Sequence, residues 1–110
     1  MVVTKIFRVV VRGQFADLDQ ETRDRLVAEA PEHDIFKSAF TTDGTFTYDP
    51  SLVSFNVRYE TRVADAHPGT DPGSAAVAMA IERASSWLSS VGIGHKHVRA
   101  TATDMASMWQ

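Results

Sequence analysis

From Ser54 to Val63 the chain alternates strictly between two kinds of side chain. Phe55, Val57, Tyr59, Thr61 and Val63 fall on one face of a strand, and Ser54, Asn56, Arg58, Glu60 and Arg62 on the other. Thr4 to Arg12 follows the same rule more loosely. Phe7, Val9 and Val11 make a clean apolar face, while Ile6, Arg8, Val10 and Arg12 make a mixed one. So nearly continuous an apolar run predicts a strand with neighbours on both sides, ended by Gly13. Thr45 to Asp49 alternates again, with Phe46 and Tyr48 together, and predicts the hairpin partner of the Leu52–Val63 stretch. His95 to Met105 predicts the last strand, with Val98, Ala100 and Ala102 opposed to His97, Arg99, Thr101 and Thr103.

Two stretches change period. Between Ser74 and Val91, apolar residues recur at three and four: Val77, Ala80, Ile81, Ala84, Trp87, Leu88 and Val91. This predicts a helix, started at Asp71-Pro72 or Ser74 and ended by Gly92. A shorter helix is predicted over 20–30, with Asp19 as N-cap, a narrow stripe of Leu18, Leu26, Val27 and Ala30, and Pro31 as its stop. Residues 32–42 are ambiguous, because Phe36 and Phe40 suit a helix whereas Phe36, Ser38 and Phe40 suit a strand. Asp43-Gly44 and Asp49-Pro50-Ser51 read as turns. Residues 64–73, rich in proline and glycine, read as a surface loop.

The order β-α-β-β-α-β predicts an α+β ferredoxin-like fold in one domain over residues 1–110. Its antiparallel sheet would have the order 4-1-3-2, with both helices on one face. The first and third strands are then central, and their polar sets share the helix-free face.

Charge gives that face its interest. The chain carries a net charge of −3, yet five of its eight arginines would lie on or beside this surface. Arg8, Arg12, Asn56, Arg58, Arg62, His97 and Arg99 are the candidate ligand-binding residues. Guanidinium forks suit carboxylate or phosphate, so the expected ligand is an anionic small molecule or partner. The competing reading is a solvated sheet face covered by arginine stems, or one partly buried in a homodimer, for which Ile6 and Val10 provide apolar area.

The remaining chemistry is sparse. With no cysteine, thiolate catalysis and disulfides are excluded, and a reducing, cytoplasmic setting is expected. The N-terminus has no signal-peptide pattern, and no apolar run has the length of a membrane span. His95 and His97, two apart on a strand, lack a third ligand, so no metal is assigned. Tyr48, Tyr59 and His97 are the available acid–base groups, but no catalytic signature accompanies them. No cofactor is implied. The string V-V-V-R-G-Q-F invites comparison with acylphosphatases, which share this fold. Their phosphate loop needs a second arginine soon after the glycine, and here none comes before Arg23. RNA-recognition modules display aromatics on the central strands, where this chain has Arg8, Val10, Arg58 and Glu60, so nucleic acid is not the expected partner.

The strings F-R-V-V-V-R-G-Q-F, F-T-T-D-G-T-F-T-Y-D, F-N-V-R-Y-E-T-R-V and G-H-K-H-V-R-A-T-A-T-D-M-A-S-M-W together resemble a family of small bacterial proteins. That family is a domain of unknown function common in antibiotic-producing soil bacteria. The resemblance covers nearly the whole chain and implies a bacterial, cytoplasmic, single-domain protein, with no activity or site residues attached. The function expected from the residues is a dimeric binding or accessory protein with an arginine-lined sheet face. The alternative is a cofactor-independent enzyme of the dimeric α+β barrel sort, acting on an aromatic or polyketide-like substrate.

Overall fold

A computed structural model describes residues 3–34, 39–65 and 71–106. Strand β1 (Val3–Phe15) leads to helix α1 (Gln20–Glu29), which tightens into a 3-10 turn at Ala30–His33. Strands β2 (Thr45–Tyr48) and β3 (Ser54–Asp65), helix α2 (Pro72–Ser90) and strand β4 (His95–Asp104) follow. The four strands form one sheet in the order β2-β3-β1-β4, and every strand pair is antiparallel. That is the predicted 4-1-3-2 order read from the opposite edge.

The alternation in β3 has the predicted consequence. Phe55, Val57, Tyr59 and Thr61 are buried, as are Phe7, Val9, Val11 and Phe15 of β1. Against them α2 lays Ala76, Ala80, Ala84 and Leu88, four residues apart and all buried. Alanines on that stripe let the helix axis come close to the strands, and α2 packs on β1, β3 and β4. Trp87, predicted within the stripe, stands at its flank, 42% exposed, with its ring edge-on to Phe46 at 5.2 Å. Helix α1 is more peripheral. Leu26 is its one buried residue, and the Leu26 carbonyl accepts a 2.6 Å hydrogen bond from the Tyr48 hydroxyl. That bond puts α1 on the same face of the sheet, beside β2. Asp19 caps α1 as predicted, accepting from the Thr22 amide at 2.8 Å.

Two local predictions are corrected. Gly13 does not end β1, which runs on to Phe15. It sits inside the strand opposite Phe55, whose ring takes the space a side chain would need. Glycine inside a strand marks such a close approach. Second, β4 does not alternate throughout. Of the two predicted starts of α2, the structure has the first: the helix begins at Pro72, capped by Asp71. In β4 the break is local. From Arg12 to Gln14 the pairing advances two residues on β1 but three on β4, from Arg99 to Lys96. The extra residue makes a β-bulge, and His97 adopts the left-handed conformation there (φ 54°). Phe36, Ser38, Met108 and Trp109 lie outside the described residues.

Candidate functional site

The helix-free face carries the even-numbered side chains of β1 and β3 and, beyond the bulge, the odd-numbered ones of β4. Strand register arranges them in rows. One row crosses the whole sheet: Thr47 pairs with Asn56, Asn56 with Arg12, and Arg12 with Arg99. Two guanidinium-bearing residues thus face each other directly on neighbouring strands, where opposed like charges are unfavourable. Both are exposed. Arg12, Arg62 and Arg99 make no hydrogen bond or ion pair among the described residues. Glu60, the acidic residue on this face, is two rows away, paired with Arg8.

The bulge at His97 adds a cation that simple alternation hides. By restarting the phase it pairs Lys96 with Gln14, which puts Lys96 on the helix-free face one row beyond Arg99. It also gives His95 and His97 different places. His95 pairs with Phe15 and binds the Ile93 carbonyl through Nδ1 at 3.0 Å, whereas His97 sits exposed on the bulge. The two histidines, two apart on one strand, therefore stand in different settings.

The other predicted residues disperse. Arg58 is half-buried and donates to the Thr47 hydroxyl at 2.9 Å, so it braces β3 against β2. That bond satisfies Thr47, which is only 2% exposed. Arg8 lies under the ring of Phe40, its guanidinium carbon 5.2 Å from the ring centroid. Phe40 therefore reaches the helix-free face from the chain preceding β2, which the ambiguous 32–42 pattern did not reveal. Thr41 holds this segment in place by accepting a bond from the Glu60 amide at 2.8 Å. Arg62 pairs with Ile6, six residues along β3 from Asn56, a separation of about 20 Å. The structure thus gathers Arg12, Arg99 and Asn56, adds Lys96, and leaves Arg62 apart.

A cleft of about 500 Å3 opens beside β2, at the end of the same row. Tyr48 and Phe55 line it from the sheet and Val27, Ala30 and Pro31 from the α1 side, with Thr47 and Asn56 on its polar side. Tyr48 is no acid–base group at neutral pH, because burial raises its pKa to about 12 and its hydroxyl is spent on the Leu26 carbonyl. Burial also raises the pKa of Tyr59, whose ring carries the Arg83 guanidinium 5.2 Å from its centroid. The enzyme reading calls for Tyr59, His97 or Arg58 in a pocket; none of them lines this cleft, while Tyr59 borders a second cavity of about 340 Å3 with Asp43, Glu82, Arg83, Ser86 and Trp87.

Across residues 1–110 the chain matches the family model DUF6204, a family of unknown function. The chain belongs to this family. For this DUF6204 member, no curated protein and no solved structure gives a match. No helix in the described residues is long and apolar enough to cross a membrane. The chemistry of the sheet face therefore carries the functional argument.

Proposed function

We propose that this DUF6204 protein is an anion-binding accessory domain of the bacterial cytoplasm, acting as a homodimer. The ligand would lie on the helix-free face around Arg12, Arg99, Asn56 and Lys96. One observation carries the reading: Arg12 and Arg99 oppose each other in register with no acidic partner among the described residues. Holding two like charges together costs stability, and an anion between two guanidinium forks would offset that cost. Arg8, with Phe40 over it, and Arg58, tied to Thr47, support the surface rather than the ligand. Ile6 and Val10, half-buried on the same face at three rows and one row from Arg12, support pairing of two copies there.

The enzyme reading draws support from the cleft beside β2, where the Tyr48 hydroxyl is engaged by the Leu26 carbonyl and the carboxyls of Asp34 and Asp49 are the remaining ionisable groups. Thermal unfolding in phosphate, citrate and chloride at matched ionic strength tests the binding reading. Phosphate and citrate should raise Tm above chloride in the wild type and not in Arg12→Ala/Arg99→Ala. Equal Tm in all three salts contradicts it. Sedimentation gives the oligomeric state, and a monomer at all concentrations removes the dimer from the proposal.

A further inference from the structure

The row Thr47–Asn56–Arg12–Arg99 joins two features that differ in chemistry. At one end Thr47 and Asn56 line the cleft. At the other, Arg12 and Arg99 stand one and two strand spacings beyond Asn56, about 5 and 10 Å away. Asn56 belongs to both, and its amide can donate to a group shared with Arg12. The cleft walls contributed by Val27, Ala30, Pro31, Tyr48 and Phe55 are apolar. At about 500 Å3 the cleft lies within the range that holds small organic molecules.

From this juxtaposition we infer that the ligand is an organic anion with an apolar body, either a carboxylate or a phosphate monoester. The body fills the cleft beside β2, and the charged head lies against Asn56, Arg12 and Arg99. The inference rests on the anion-binding reading and narrows it. A small inorganic ion would use only the cationic end of the row and leave the apolar walls wet. A ligand charged at both ends fits less well. Asp49 also lines the cleft, and the hydroxyl and amide of Ser51 hold its carboxyl below the usual range. A second negative group there would meet a standing negative charge. The ligand is therefore amphiphilic, with its charge at one end.

Four probes separate the possibilities: 2-naphthoate, 1-naphthyl phosphate, the neutral 2-naphthol, and acetate with inorganic phosphate as headgroups alone. Affinities are read by calorimetry and by amide shifts in 15N-labelled protein. We expect at least one naphthyl anion to bind about tenfold or more tightly than its bare headgroup and than 2-naphthol, in line with the worth of burying a two-ring body. Which of the two wins distinguishes carboxylate from phosphate ligands. Val27→Glu, at an exposed position on the cleft wall, should remove most of that gain while leaving inorganic phosphate binding unchanged. Arg12→Ala/Arg99→Ala should remove the preference for the anion over 2-naphthol. If the variants unfold, the shifts decide: naphthyl anions must move Ala30, Thr47 and Asn56, whereas inorganic phosphate must not move Ala30. Inorganic phosphate binding without a gain from the naphthyl body overturns this inference and leaves the anion site standing. No binding by any anion overturns both.

Discussion

Gly13 and Phe55 are paired across β1 and β3, and a Cβ at Gly13 would stand 2.6 Å from Cζ of the Phe55 ring. The pair lies one residue from Arg12 and opposite the bulge that carries His97. Close packing on the core side is thus adjacent, through the same strands, to the cationic row on the other side. Gly13→Ala should destabilise the protein by roughly 1–3 kcal/mol, the usual range for overpacking a core. Phe55→Leu in the same chain should recover part of that loss. Urea midpoints of the two single variants and the double variant check this. Additive effects would show that the ring does not depend on the missing side chain.

Tyr48 joins β2 to α1 through its bond to the Leu26 carbonyl. Tyr48→Phe should cost about 1 kcal/mol at neutral pH, the net worth of one such bond. The alkaline limb gives a second readout. In the unfolded chain the phenol ionises near its ordinary value of 10.0, and in the folded protein at about 12. The folded state therefore keeps its proton longer. This contribution is fully present below pH 10 and is lost as pH rises toward about 12. Urea unfolding across that interval should fall less steeply in Tyr48→Phe than in the wild type.

Asp19 behaves in the opposite sense. The Thr22 hydroxyl and amide hold its carboxyl below the ordinary value of 3.8. Its contribution to folding is present above that value and disappears as pH falls through the lowered one. Asp19→Ala should lower the thermal midpoint at neutral pH, through loss of the N-cap. The difference from wild type should close in strong acid, followed by circular dichroism across the acid range.

Arg99 faces Arg12 in register, where opposed like charges are unfavourable. Arg99→Thr removes the charge facing Arg12 and substitutes a residue already found elsewhere on β4. At low salt it should raise stability by roughly 0.2–1 kcal/mol, the scale of a cross-strand pair. The gain should shrink at about 1 M salt, where screening acts within ~3 Å. Denaturant unfolding at the two salt levels checks it, and an unchanged midpoint at low salt would show that the two guanidinium groups do not repel.

How much of this was legible follows from the range of each cause. The buried face of β3 was readable because alternation is local and Phe55, Val57, Tyr59 and Thr61 all obey it. The N-cap at Asp19 was readable for the same reason. Gly13 was misread because a mid-strand glycine and a terminating one look alike until the opposing Phe55 ring is placed. The bulge left no trace because its left-handed residue is His97 rather than glycine, and H-K-H-V-R-A-T alternates plausibly in one phase. Lys96 was lost from the candidate face with it. Phe40 was hidden differently: its position over Arg8 depends on the chain between α1 and β2, whose spacing suits two periods at once. The candidate site was thus visible as a charge excess on one face. Which arginines meet was set by register between strands far apart in sequence.

A phosphate titration of 15N-labelled protein at low salt, followed by amide and arginine side-chain shifts, tests the central claim most directly. The account predicts saturable shifts centred on Arg12, Arg99, Asn56 and Lys96, absent at Arg62, and abolished in Arg12→Ala/Arg99→Ala. Shifts that fail to saturate, or that survive in the double variant, would contradict it.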